Sequence, residues 1–147
     1  MHTTMPQILL VDDNAADTDL ASDALARCQW SSLVRSVVDG EQAIAFLHRE
    51  GKYADEHSPD LVILDLNMPR KDGRAVLAEV KADPALHSTP IVVFSSSQAG
   101  SDVRGSYDLG ANSYVAKPGN LHDFVSAIQS IGEFWLGRAR LPRKEES

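Results

Sequence analysis

Pro59-Asp60-Leu61-Val62-Ile63-Leu64-Asp65-Leu66-Asn67-Met68-Pro69 is the stretch on which the reading of this chain turns. Four consecutive apolar residues, Leu61 to Leu64, include β-branched members and suit a strand buried on both faces of a parallel sheet. The run ends abruptly in a carboxylate, and a loop signal follows at once. Asp65 is therefore expected at the carboxyl end of a strand, the edge where such sheets meet their ligands. A carboxylate in that position can hold a cation or attack an electrophile.

Comparable runs recur on both sides. Gln7 to Val11 reads as a strand ending in Asp12-Asp13, and Leu33 to Val38 as one ending in the turn Asp39-Gly40. Pro90 to Phe94 ends in Ser95-Ser96-Ser97, and Asn112 to Ala116 is closed by Lys117-Pro118. Helical patterns fill the intervals. Asn14 is a candidate cap for the first, whose stripe is Leu20, Ala21, Ala24, Leu25 and Cys28. Cys28 is read as a small buried hydrophobe. Ala43, Ile44 and Leu47 mark a second helix; Val76, Leu77 and Val80 mark a third, with Asp72 as its cap and Pro84 as its stop. A short helix from Ser101 to Gly110 contains Gly105, which costs about 1 kcal/mol against Ala and makes this the element expected to yield most. A final helix begins near Asn120. The segment Arg49 to Ser58 is a surface loop, and His48 and His57 show no metal-ligand spacing. Five β–α units with right-handed crossovers predict a doubly wound parallel sheet in a three-layer α/β/α sandwich.

The 147 residues suffice for one core and are too few for two ordinary domains. An apolar content of 43% argues against disorder. Fourteen basic against twenty-one acidic side chains give a net charge of -7, an unfavourable balance for non-specific nucleic-acid binding. The single cysteine excludes an internal disulfide and fits a reducing compartment. No apolar run approaches the ~18 residues of a membrane span, so the cytoplasm is the expected location.

Parallel strands bring Asp12, Asp13, Asp65, Ser95 and Lys117 to one edge of the sheet. Three carboxylates that close repel one another, so a cation or protons must compensate. Mg²⁺ suits them best, since it takes oxygen ligands and keeps several waters. A lysine and a hydroxyl at the same edge add donors for an oxyanion. Each of these residues alone could be a cap, a loop residue or a solvated charge. All five at successive strand ends describe a phosphoryl-transfer site.

Leu10-Val11-Asp12-Asp13-Asn14, Asp65-Leu66-Asn67-Met68-Pro69 with Asp72-Gly73, Ser95-Ser96 and Lys117-Pro118 together resemble the receiver domain of two-component response regulators. The resemblance covers residues 6–137 and implies a flavodoxin-like (βα)5 fold with strand order 2-1-3-4-5. It implies that Asp65 accepts a phosphoryl group from a histidine kinase in a Mg²⁺- or Mn²⁺-dependent step. Asp13 matches a direct metal ligand, Asp12 one that acts through water, and Asn67 one that acts through its backbone carbonyl. Lys117 matches the lysine on the phosphoryl oxygens, and the Lys117–Pro118 bond is expected to be cis. Ser95 matches the switch hydroxyl and Tyr114 the switch aromatic. On this resemblance the only catalysis is of the protein's own phosphorylation and dephosphorylation.

The end of the chain is the most individual part. Leu121, Phe124, Val125, Ile128, Ile131 and Trp135 fall on one helical face, while Phe134 and Leu136 fall outside it. Such a cluster is either covered by a partner or folded back on the sheet. Ile131-Gly132-Glu133-Phe134-Trp135-Leu136 resembles the C-terminal motif of small receivers partnered with phytochrome-type photoreceptor kinases. That subgroup commonly forms homodimers through this end, which implicates Phe134, Trp135 and Leu136. Residues 138–147 read as a basic, flexible tail in which Arg138, Arg140, Arg143 and Lys144 precede Glu145-Glu146. No helix-turn-helix pattern or second domain follows. The expected function is thus a single-domain response regulator that signals by binding. The alternatives are a phosphate shuttle in a multistep relay and a Mg²⁺-dependent aspartyl-phosphate phosphatase; a flavodoxin-like cofactor binder is disfavoured because Asp12-Asp13-Asn14 would repel a phosphate without a metal.

Overall fold

Burial on both sheet faces selects which apolar runs become central strands. The structure, a computed structural model, describes residues 5–143; Lys144 and Glu145-Glu146 lie outside the described residues. Its strands are β1 (Gln7–Val11), β2 (Leu33–Val37), β3 (Leu61–Leu64), β4 (Ile91–Ser95) and β5 (Ser113–Ala116). They alternate with helices α1 (Ala15–Ala26), α2 (Gly40–Leu47), α3 (Gly73–Ala82), α4 (Gly100–Asp108) and α5 (Leu121–Gly132). The sheet runs β2-β1-β3-β4-β5 with every neighbouring pair parallel, the flavodoxin-like order expected. Strands β1, β3 and β4 are buried along their whole length, whereas β2 and β5 are edges and only partly covered.

The two-residue period of a strand divides the core into two layers. Leu9, Val11, Val62 and Leu64 pack with Ile44, Phe46 and Leu77 of α2 and α3. Ile8, Leu10, Leu61 and Ile63 pack with Leu25, Phe124 and Ile128 of α1 and α5. Helix α4 stands apart, with Ser106 its sole buried residue.

Caps account for the helix starts. Asn14, Asp39, Asp72 and Asn120 each accept a backbone N–H from three residues on. Element ends differ from the sequence reading by a residue or two. Strand β4 begins at Ile91 because Pro90 has no N–H for the ladder, and it runs on to Ser95, whose carbonyl accepts the Lys117 N–H at 2.8 Å.

The C-terminal stripe departs further from expectation. Beyond α5 the chain winds as a π-helix over Glu133–Arg138, with the Ala139 N–H on the Phe134 carbonyl at 2.7 Å. This wider winding changes the phase of the side chains. Trp135 and Leu136 both pack against the α1–α5 layer, although an α-helical phase had put Leu136 outside it. Phe134 remains 53% exposed, its ring edge-on to Trp135 at 5.2 Å. Leu121, expected to face inward, is exposed at the first position of α5, ahead of the turn that meets the sheet. In the tail, Arg143 Nε donates to Asp60 Oδ1 at 3.2 Å.

Candidate functional site

The carboxyl edge of β1, β3 and β5 collects the acidic and basic groups. Asp12 and Asp13 follow β1, and Asp65 follows β3. One carboxylate oxygen from each of the three lies within 4.8 Å of the others. They step outward from Asp65, which is buried, through half-buried Asp12 to exposed Asp13. Asp12 Oδ1 accepts the Asn14 N–H at 2.9 Å, which ties the floor of the site to the start of α1.

Lys117 reaches across the sheet to the same point. Its Nζ donates to Asp12 Oδ2 at 2.7 Å, Asp17 Oδ2 at 2.9 Å and Asp65 Oδ2 at 3.4 Å, with its side chain 8% exposed. The ammonium also stands 5.9 Å from the centre of the Phe94 ring. Burial disfavours the charged lysine, but hydrogen bonds to Asp12 and Asp17 outweigh it and push the ammonium pKa well up. Lys117 is therefore a fixed positive charge. Burial likewise pushes the Asp12 carboxyl above the ordinary carboxylate range; its bond to Lys117 offsets this only partly, and the charge of Asp65 adds to it.

Ser95 is fully buried at the end of β4, and its Oγ accepts the Ser97 N–H at 3.4 Å. Tyr114, half-buried in β5, donates its hydroxyl to the Ser97 carbonyl at 2.7 Å, so the aromatic and the serine act on the same loop. Asn67 sits exposed two residues beyond Asp65. The Lys117–Pro118 bond is trans, not cis as the family resemblance implied. Trans is the favoured isomer of an X–Pro bond by about 0.5–1 kcal/mol, and with it Lys117 already spans to all three carboxylates.

Two features of the site went unnoticed in the sequence. Asp17, on the first turn of α1, holds Lys117 across one hundred residues of chain. The Asp-x4-Asp spacing was visible, but nothing in it marked a partner on another strand. Asp39, read as a turn residue, is 1% exposed and binds Arg70 Nε and Nη2, each at 2.8 Å. Burial alone would raise the Asp39 carboxyl, yet the Gln42 N–H and the Arg70 guanidinium outweigh it and hold it below its ordinary value. Gly40 N–H donates to the Lys71 carbonyl at 2.9 Å. The loop after Asp65 is thereby clamped to the start of α2, with Arg70 in the left-handed region at φ 65°.

The donor set fits a hard divalent cation such as Mg²⁺ or Mn²⁺. Three carboxylates at the strand edge supply oxygen ligands, and Asp13 opens the cluster to solvent. A nucleophilic carboxylate beside a fixed ammonium can take and stabilise a phosphoryl group. A separate cleft of about 330 Å³ opens at the amino end of the strands, lined by Gln7, Leu33, His57, Asp60 and Arg143 among others. Its one carboxylate is paired to Arg143, and among the described residues it holds no acidic cluster.

This fold and this edge define a phosphoacceptor signalling module. The response regulator receiver domain family matches residues 8–129, and the chain belongs to it. Response regulator Rcp1 of Synechocystis is 42% identical over 135 residues, 92% of each chain. A crystal structure of phosphorylated RcpA, a cyanobacterial phytochrome response regulator, aligns with TM-score 0.92 and 46% identity over 95% of this chain and all of that one. The Mn²⁺-bound form of Rcp1 aligns with TM-score 0.90 and 41% identity over 94% and 99%.

Proposed function

We propose that Asp65 accepts a phosphoryl group from the phosphohistidine of a histidine kinase, and that the partner is a phytochrome-type photoreceptor kinase. The observation that carries the first part is Asp65 itself, a buried carboxylate that shares its edge with Asp12, Asp13 and the Lys117 ammonium. The second rests on likeness to Rcp1 and to RcpA, the latter a cyanobacterial phytochrome response regulator. One Asp65 oxygen attacks phosphorus, the P–N bond to the kinase imidazole breaks with its electron pair going to that nitrogen, and the histidine, protonated on its other ring nitrogen, leaves as neutral imidazole. A divalent cation, when bound, offsets the charge of the carboxylates and the incoming oxygens. Asp13, Asp12 and the Asn67 carbonyl would hold it, and Lys117 would turn to a phosphoryl oxygen.

A phosphoryl group brings about 1.5–2 negative charges to the edge. Ser95, the buried hydroxyl at the end of β4, is the group expected to follow it, and Tyr114 is tied to the same loop through Ser97. Their movement would bias α4 and β5 between two states already populated. The chain in this reading catalyses only its own phosphorylation and dephosphorylation, with residues 6–137 as the receiver and 138–147 as a tail. A cytoplasmic place follows from a kinase partner and the single cysteine. Homodimerisation through the Phe134-Trp135-Leu136 segment is supported by the exposure of Phe134.

Asp65→Asn tests the central step. It should abolish acid-labile label transfer from a phosphorylated kinase while leaving the thermal unfolding curve cooperative; label persisting on that variant would discard the assignment. Chelation of the divalent cation should stop transfer to the wild type.

A further inference from the structure

The Lys117 ammonium has three N–H groups and three carboxylate partners, and they are unequal. Asp12 and Asp17 take it at 2.7 and 2.9 Å, Asp65 at 3.4 Å. The resting lysine is thus held best by the two carboxylates that do not react. Of these, Asp12 belongs to the acidic cluster with Asp13 and Asp65; Asp17 does not. A cation on the cluster competes with Lys117 for Asp12 and leaves Asp17 as the lysine's remaining partner outside it. Asp17 is also firmly placed, because its N–H is fixed by Asn14 Oδ1 at 3.0 Å and its side chain is 25% exposed.

We propose that Asp17 is a positioning residue for Lys117: it holds the ammonium from outside the cation cluster and competes for it with the phosphoryl group on Asp65, so that it sets how tightly the phosphorylated state is held. The inference rests on the phosphoacceptor reading of Asp65. Three carboxylates, Asp12, Asp17 and Asp65, hold the one ammonium, and Asp13 adds a fourth negative charge to the cluster, so that a bound divalent cation still leaves one net negative charge. Phosphorylation adds to that excess. Asp17→Asn removes one charge a single hydrogen bond away from the ammonium and leaves only a neutral amide oxygen to compete for the N–H that a phosphoryl oxygen needs. An acidic residue in the first turn of a helix is also favoured by the helix dipole, but that role acts on the stability of α1 and does not alter anion affinity at Asp65.

The test measures the dissociation constant of beryllium trifluoride, a phosphoryl analogue, on the full chain with saturating Mg²⁺. Asp17→Asn is expected to bind it about tenfold more tightly than wild type, and Asp17→Glu, which keeps the charge and the reach, to stay within twofold of wild type. Asp19→Asn removes an exposed charge from the same helix without a contact to Lys117 and should also stay within twofold. A side-chain ammonium NMR signal of Lys117 should move in Asp17→Asn before any ligand is added. An unchanged or weaker affinity in Asp17→Asn, or an equal gain in Asp19→Asn, would overturn the proposal. Should Asp17→Asn fold poorly, Asp17→Ser gives the same readout. Failure of the wild type to bind the analogue, or binding that survives Asp65→Asn, would count against the phosphoacceptor reading itself.

Discussion

The loop that leaves Asp65 and the helix α4 flank the same site and are built in opposite ways. The loop is over-determined. Asp39 binds Arg70, Gly40 binds Lys71, and Gly73 lies so close that an added Cβ would fall 2.2 Å from the Asp65 carbonyl oxygen. Helix α4 buries only Ser106, and a Cβ added at Gly105 would meet nothing within 4 Å. At its amino end Asp102 accepts the Ser97 hydroxyl and pairs with Arg74 of α3, bonds that hold the Asp102 carboxyl below its ordinary value. Near its carboxyl end the exposed Tyr107 hydroxyl accepts the Tyr114 N–H of β5 at 3.1 Å. The side that presents the nucleophile is rigid, and the side that would report its modification is loose. A firmly held site beside a weakly packed element is an arrangement in which a local change can shift the second without unfolding the first.

Several substitutions would break or sharpen this contrast. The largest effect is expected from Gly73→Ala. Its methyl group collides with backbone that carries Asp65, so unfolding free energy should fall by roughly 3 kcal/mol in a denaturant titration, with phosphoryl-analogue binding lost in whatever remains folded. Wild-type stability there would mean that the loop is far softer than its contacts imply. Asp39→Asn should cost about 1 kcal/mol by weakening an ion pair whose carboxylate is buried and whose guanidinium is half exposed, the amide oxygen keeping the helix cap. Its pH dependence has a definite sign. Because the folded-state Asp39 pKa is lowered, the carboxylate's contribution is complete above the unfolded value of about 3.9. It is lost as pH falls through the lower folded value. The stability gap between wild type and Asp39→Asn should therefore be flat above about pH 5 and close in stronger acid; a gap that widens on acidification would contradict the ion pair. The smallest effect is that of Gly105→Ala, which should stabilise by about 0.5–1 kcal/mol. Amide exchange should slow in α4 and leave the loop after Asp65 unaffected. Slowing spread evenly over the molecule would mean that α4 is no separate yielding unit.

The C-terminal segment shows where a periodic pattern misleads. Phe134, Trp135 and Leu136 are contiguous, and an α-helical projection sends the first and last to opposite flanks. The π-winding turns Leu136 inward and leaves Phe134 alone on the surface. Nothing local announces that winding. It is a property of how the chain beyond Gly132 meets the layer already formed by α1 and α5.

Strand runs, helix caps and the acidic residues at strand ends were legible because each rests on near-neighbour chemistry: an apolar run seeks burial, an Asn or Asp before a helix seeks free N–H groups, and a parallel sheet aligns its carboxyl ends. Leu61 to Asp65 carries that logic in five residues, and it determined the fold and the place of the site. Tertiary structure alone decided who holds whom across the sheet. The grips of Asp17 on Lys117 and of Asp39 on Arg70 and the inward turn of Leu136 all depend on distances between segments remote in sequence. Those distances are set by packing of the whole core, and no local pattern encodes them.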